Sequence, residues 1–272
     1  MTVVAKPAGT IDSLVTDSSM ALGVDTHAHL HFPQFQGQVE EVIQRANDSG
    51  IGRIINVGTS SEDSRRAVQF ASRYQALSAS VGIHPYEAVE APQAIEYLSD
   101  LANERSVVAI GECGLDFAKS EATPAEQEQA LRLQLELAQA KKLPVIFHVR
   151  DAFDHFWKVV SDYPSIKAVV HSFTGGRAEL GRVLQRGWMV GLNGIMTFTK
   201  EPEQQAMAKE VPLTSLLLET DCPFLSPHPH RGKRNEPSRV VDIAEFLAEL
   251  RGESPEDLLK NTGDNARRLF KL

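Results

Sequence analysis

Cysteine is scarce in this chain of 272 residues: there are two, Cys113 and Cys222, each beside a carboxylate inside an apolar run. That is too few for a disulfide framework, so a reducing compartment, the cytoplasm, is the expected location. Long apolar runs are missing too. Nothing approaches the ~20 residues needed to span a bilayer, and no membrane partner is expected. The N-terminal stretch MTVVAKPAGTIDSLVTDSSMAL has no apolar segment of signal-peptide length. Residues 1–20 are expected to be a flexible leader, with a short docked helix over Thr10–Val15 as the alternative. A basic excess is also absent, since the net charge is −8. A module that grips nucleic acid through one broad surface needs such an excess, so any nucleic-acid contact must be confined to a cleft. Neither GxGxxG after the first strand nor GxxxxGK[ST] occurs, which removes support for nucleotide-cofactor folds.

What is present is an alternation of short apolar runs with longer amphipathic stretches. Eight strands are expected: Val24–Leu30, Arg53–Val57, Leu77–Ile83, Val107–Gly111, Pro144–His148, Ala168–Ser172, Met189–Leu192 and Leu216–Thr220. Most are continuously apolar, as parallel strands covered on both faces are. Helices are expected over Gln38–Ser49, Ser61–Arg73, Pro92–Glu104, Ala125–Lys142, Ala152–Ser161, Arg177–Arg186, Pro202–Lys209 and Pro237–Leu250, with a last one opening at Ser254-Pro255. Thr123-Pro124-Ala125-Glu126 has the makings of a capping box. Eight strand-plus-helix units over residues 21–272 predict an α/β fold of the (β/α)8 TIM-barrel type in a single domain. A doubly wound open sheet is the competing architecture.

Histidines and carboxylates collect at the predicted strand ends. Asp25-Thr26-His27-Ala28-His29 ends the first, Glu112 the fourth, His148 the fifth, His171 the sixth and Asp221 the eighth. In a barrel this end is the catalytic face. Strand alternation puts His27 and His29 on one side. A single His at a strand end is ordinary packing chemistry, and a lone HxH is weak. Four His and two carboxylates on five strand ends are a metal site. The nitrogen and oxygen donors suit zinc, manganese, nickel or magnesium. Six protein ligands exceed the four of a structural zinc site, so two divalent ions per chain are expected, Mg, Mn or Zn.

The ordered motifs DTHAHL, GIHP, GECGLDF, PVIFHVRDA, VVHSFTGG and LLLETDCPFLSPHPHRGKRNEP, running from Val24 to Phe270, resemble the TatD family of metal-dependent deoxyribonucleases, within the amidohydrolase-like barrels. The resemblance implies divalent-metal hydrolysis of phosphodiester bonds in DNA, as a 3′-5′ exonuclease. Carried onto this chain, it implies that His27, His29 and Asp221 hold one ion, Glu112 bridges, and His148 and His171 complete the second site. Glu112 and Asp221 are then the catalytic carboxylates, with Asp221 also the proton acceptor from the attacking water. The chain departs from the pattern at Cys113 and Cys222, where other small residues are common, and at Phe117, where Tyr is frequent.

His84, Arg150, His230, Arg231 and Lys233 are the expected substrate contacts: His84 ends the third strand, Arg150 follows His148, and the others lie in the loop after the eighth strand. DNA, held locally at the barrel mouth, is the expected partner, with no obligate protein partner. Glu219 and Asp116 are read as orienting groups, Asp116 equally as a cap or core ion pair. The cysteines are read as small buried residues, and His31, His155 and His228 as surface or packing histidines. The competing function is a metal-dependent ester or amide hydrolase acting on a small molecule or on aminoacyl-tRNA, which the acidic charge favours. A scaffold without catalysis has no need of all six ligands.

Overall fold

The computed structural model describes residues 22–272, and the expected leader and the alternative helix at Thr10–Val15 lie outside the described residues. Eight parallel strands follow in chain order around one sheet: β1 (Gly23–Ala28), β2 (Ile51–Val57), β3 (Leu77–Val81), β4 (Val107–Asp116), β5 (Val145–Arg150), β6 (Ala168–Val170), β7 (Met189–Leu192) and β8 (Leu216–Leu218). The sheet closes between its first and last strands. Asp221 N donates to His27 O at 2.8 Å, and His29 N donates to Cys222 O at 2.9 Å. The Thr26 hydroxyl bonds Leu218 O at 3.0 Å across the same seam. This closure rules out the open doubly wound sheet.

The helices are α1 (Val39–Asp48), α2 (Ser61–Arg73), α3 (Ala91–Leu101), α4 (Pro124–Lys141), α5 (Phe153–Val160), α6 (Arg177–Gln185), α7 (Pro202–Glu210), α8 (Val240–Arg251) and α9 (Pro255–Phe270). The capping box at Thr123 and Glu126 forms as its spacing predicts. Two apolar layers hold the fold. Inside the barrel, Val24, Ile55, Ala109, Ile146, Val169 and Leu217 supply one layer, joined by Leu269 and Phe270 of α9. Val24, Val108 and Met189 open their strands, so the end of α9 packs against the N-terminal end of the barrel, opposite the predicted catalytic face. Outside, the remaining strand residues meet the apolar helix faces. This burial on both faces is why the strands read as unbroken apolar runs.

β1, β3, β6 and β8 end two residues before their expected ends and β2 starts two residues earlier, whereas β4 and β5 run on past theirs. The fourth strand does not stop at Gly111, and β5 continues past His148 to Arg150. Between Ile110 and Cys113 the register of β4 against β5 slips by one residue, and pairing then resumes as far as Asp116 opposite Arg150. A similar slip lies between Asp25 and Ala28 of β1. Each is a bulge, a device that re-aims a side chain without ending the strand. Glu112 and His27 both sit in these bulges.

Gly114 follows the β4 bulge at φ +153°, and a Cβ there would run into the carbonyl oxygen of His148. Gly114→Ala is therefore expected to cost about 2–3 kcal/mol, roughly 5–10 °C in Tm. Thermal unfolding of the purified variant checks this, and an unchanged Tm would mean that β4 and β5 can separate freely there.

Candidate metal centre

The bulged strands and the closing seam bring the predicted residues together at the C-terminal mouth. His27 Nε2 lies 3.3 Å from Glu112 Oε2 and 3.8 Å from Asp221 Oδ1. His29 Nε2 lies 3.4 Å from the same Asp221 oxygen. On the other side of Glu112, its Oε1 is 2.9 Å from His148 Nδ1, 3.7 Å from His84 Nε2 and 3.8 Å from His171 Nε2. One carboxylate thus stands among four imidazoles. The rings of His27 and His171 stack at 3.5 Å. Groups compact enough to hold an ion are His27–His29–Glu112, His84–Glu112–His148 and His27–His171–Glu219. The first joins His27 of β1 and His29, just past its end, to Glu112. The other two bring in His84 and Glu219, which were expected to serve other roles.

The hydrogen bonds around these rings decide which nitrogens are free. His29 Nδ1 meets the carbonyl of Val57 at 2.8 Å. A carbonyl only accepts, so Nδ1 carries the proton and the Nε2 lone pair faces Asp221. His171 Nδ1 faces Glu219 Oε1 at 2.8 Å, and that oxygen is itself held by Ser172 N at 2.6 Å. His171 Nε2, on the other side of the ring, faces Glu112. His148 bridges Glu112 and Asp116, with Nε2 3.1 Å from Asp116 Oδ2. His84 is arranged the opposite way. Its Nδ1 accepts from Tyr86 N at 3.2 Å, so Nε2 is the protonated nitrogen and points a donor into the cluster. His27 makes no hydrogen bond through either ring nitrogen among the described residues, although it is fully buried. A buried polar atom without a partner is costly, and a cation resolves it.

Charge runs through the cluster consistently. Burial alone would raise Glu112, but the facing imidazoles of His27 and His84 and the hydrogen bond with His148 hold it well below the usual carboxylate range. Burial alone would lower His171, and Glu219, with Glu112 and Asp221, instead raises it to about 10. His84 has no such carboxylate bond and burial takes it down to about 4. In the metal-free site His171 thus favours a proton and His84 disfavours one, and protons and divalent ions compete for the same lone pairs.

This chain matches the family model described as TatD related DNase over residues 24–271. The chain belongs to that family. The Bacillus subtilis protein named as an uncharacterized metal-dependent hydrolase, YabD, is 36% identical over 91% of this chain and 98% of its own length. The TatD protein of Pectobacterium atrosepticum, named as a 3′-5′ ssDNA/RNA exonuclease, is 39% identical over 91% of this chain and 99% of its own. Among solved structures, the TatD homologue YJJV of Escherichia coli superposes with a TM-score of 0.87 at 33% identity, covering 93% of this chain and 99% of that one. As a member of the TatD-related family, the chain is a metal-dependent hydrolase with candidate metal-binding His and Glu groups at its barrel mouth.

The other predicted residues of this TatD-related barrel divide by what they touch. Arg150 is exposed at the end of β5 and lines the groove that also contains His148 and His171. In the loop after β8, Arg231 donates to Ser226 O at 3.1 Å and stacks 3.6 Å over Phe198. His230 lies 2.8 Å from Arg239 and 3.6 Å from Asp242. These two side chains help to hold the loop. Lys233 is exposed, and its ammonium has no hydrogen bond or ion pair among the described residues. Asp116 does both tasks considered for it: it binds His148 and accepts from Ala118 N and Lys119 N. Of the two readings open for His31, the structure has the packing one: it is buried between Asn56 (3.0 Å) and Asp63 (2.9 Å). Both cysteines are buried, and burial pushes their thiols up, away from nucleophilic use.

Sequence reasoning passed over Asp25. It is fully buried and ties the seam by accepting from Thr220 N at 2.9 Å and from the Thr220 hydroxyl at 2.6 Å. Burial raises its carboxyl to about 7. Its position two residues before His27 in DTHAH was the available signal. No helix among the described residues is long and apolar enough to cross a membrane.

Proposed function

We infer that this chain is a divalent-metal-dependent nuclease that removes nucleotides from the 3′ end of single-stranded DNA, using two ions per chain. The observation that carries the reading is the convergence of His27, His29, Glu112, His148, His171 and Asp221 at the mouth of a TatD-related barrel. The named activity of the 39% identical relative supports the substrate and the polarity. His27, His29 and Asp221 would hold one ion, His148 and His171 the other, with Glu112 between them. When bound, such ions supply a water of lowered pKa and neutralise charge on the scissile phosphate.

The chain's own groups do the rest. Asp221 keeps 17% of its side chain exposed at the mouth. Burial alone would raise its carboxyl, but the facing imidazoles of His29, His171 and His27 keep it low, so it is an ionised proton acceptor. The Val57 carbonyl fixes the tautomer of His29, and Glu219 lies 2.8 Å from His171 Nδ1. His84, neutral and with its Nε2–H turned inward, is a donor suited to a phosphate or leaving oxygen rather than a ligand. Arg150 and Lys233, exposed and unpaired among the described residues, are the cations available to flanking phosphates.

The test follows metal-loaded protein on 5′-labelled and 3′-labelled single strands, beside a nitrophenyl ester. The reading predicts a descending ladder from the 5′ label and immediate release of mononucleotide from the 3′ label. Ester hydrolysis without strand cleavage would move the substrate to a small-molecule ester.

A further inference from the structure

Among the described residues, five large apolar side chains are more than a third exposed: Tyr86 (46%), Val89 (61%), Tyr97 (39%), Phe117 (37%) and Phe224 (47%). Three of these, all aromatic, stand beside the metal cluster. Tyr86 is edge-on to His84, centroids 4.4 Å apart, and His84 is edge-on to His148 at 4.5 Å. Phe224 lies 6.5 Å from His29 and 6.2 Å from Phe32, which stacks on His29 at 4.6 Å. Phe117 lines a groove of about 770 Å3 together with His148, His171 and Arg150. Open aromatic rings cost hydrophobic free energy, and such rings gathered at one rim mark a contact surface.

The backbone that carries Phe224 is held in place. Phe224 N donates to Asp221 O at 2.9 Å, and its carbonyl accepts from Asn235 Nδ2 at 2.7 Å. Asn235 also binds Thr220 O at 3.0 Å, so the backbone carrying Phe224 is fixed to the segment carrying Asp221. Charge within the groove is largely balanced. The groove's cations, Arg150 and Lys158, are accompanied by Asp151, Asp154 and Glu179, in a chain of net charge −8. Binding of a polyanion through counterion release needs an uncompensated basic track. Aromatic platforms bind unpaired bases of any sequence through their faces. Bases in a duplex are already stacked and paired, and extracting one costs free energy.

We propose that Phe224, Phe117 and Tyr86 are stacking platforms for unpaired bases flanking the scissile phosphate, and that they make the unpaired strand the preferred substrate. This rests on the nuclease reading above. The three residues determine specificity by positioning the strand.

The experiment compares metal-loaded wild type with F224A, F224L, F224W, F117A and Y86A. The substrates are a 5′-labelled single strand and the same strand with its three 3′-terminal bases removed, leaving the sugar-phosphate intact. For F224A the proposal expects KM on the complete strand to rise about tenfold, by more than any fall in kcat. F224L, apolar but without an aromatic face, should behave like F224A, and F224W should restore KM. F117A and Y86A should each raise KM in the same direction. The advantage of the complete strand over the base-free one should shrink in every Ala variant. An advantage equal to that of wild type in all three would overturn the proposal, as would an equal loss on both strands. Failure of metal-loaded wild type to cleave either strand would instead sink the nuclease reading, and the proposal with it.

Discussion

Replacing Glu112 with alanine is expected to bring metal-dependent turnover below about 1% of wild type, with loss of bound metal. The carboxylate lies within 4 Å of His27, His84, His148 and His171, so its removal takes out the group shared by both halves of the cluster. Loss of residues that merely orient ligands costs about 10–100-fold, and removal of a shared ligand must cost more. The fold should persist, because the bulge that places Glu112 is set by backbone pairing on both sides of it. Metal analysis of the purified variant alongside circular dichroism separates the two effects. Full metal content with full turnover would remove Glu112 from its bridging position.

Asp221→Asn is the sharper probe of chemistry, because it keeps the shape and one oxygen while removing the charge. Turnover is expected to fall by about 10²–10⁴, the usual contribution of a positioned general base. The His29 interaction at 3.4 Å can survive in part, so metal content should fall far less than rate. The backbone seam from Asp221 N to His27 O does not involve the side chain and should be untouched. Full turnover at unchanged metal content would show that another group accepts the proton.

The barrel was legible because its cause is local. Strands buried on both faces are written as unbroken apolar runs, and the helices between them carry caps such as Thr123. Much of the cluster was legible for the same reason, since His171, Asp221 and the HxH of β1 lie near the ends of recognisable strands. What escaped depends on register. A one-residue slip leaves no mark in an apolar run, so the continuation of β4 through Cys113 to Asp116 was unreadable, and with it the depth of Glu112. Tautomers were equally hidden. Only the contacts with Val57 O and Tyr86 N show that His29 offers a lone pair where His84 offers a proton. The HRGKR segment was legible as basic but not as stapled, because the Arg231–Phe198 stack joins residues far apart in the chain. The exposure of Phe224 leaves no mark in the sequence, since it depends on the loop's surroundings.

The central claim is that the converged histidines and carboxylates hold two divalent ions that turn the barrel into a nuclease. It is tested most directly by titrating metal-stripped protein with Mn2+ while bound metal and cleavage of a 5′-labelled single strand are measured on the same samples. The account predicts no cleavage from stripped protein in chelator, and turnover that rises until about two equivalents are bound, in line with a two-ion site. Full cleavage by protein shown to be metal-free would contradict it.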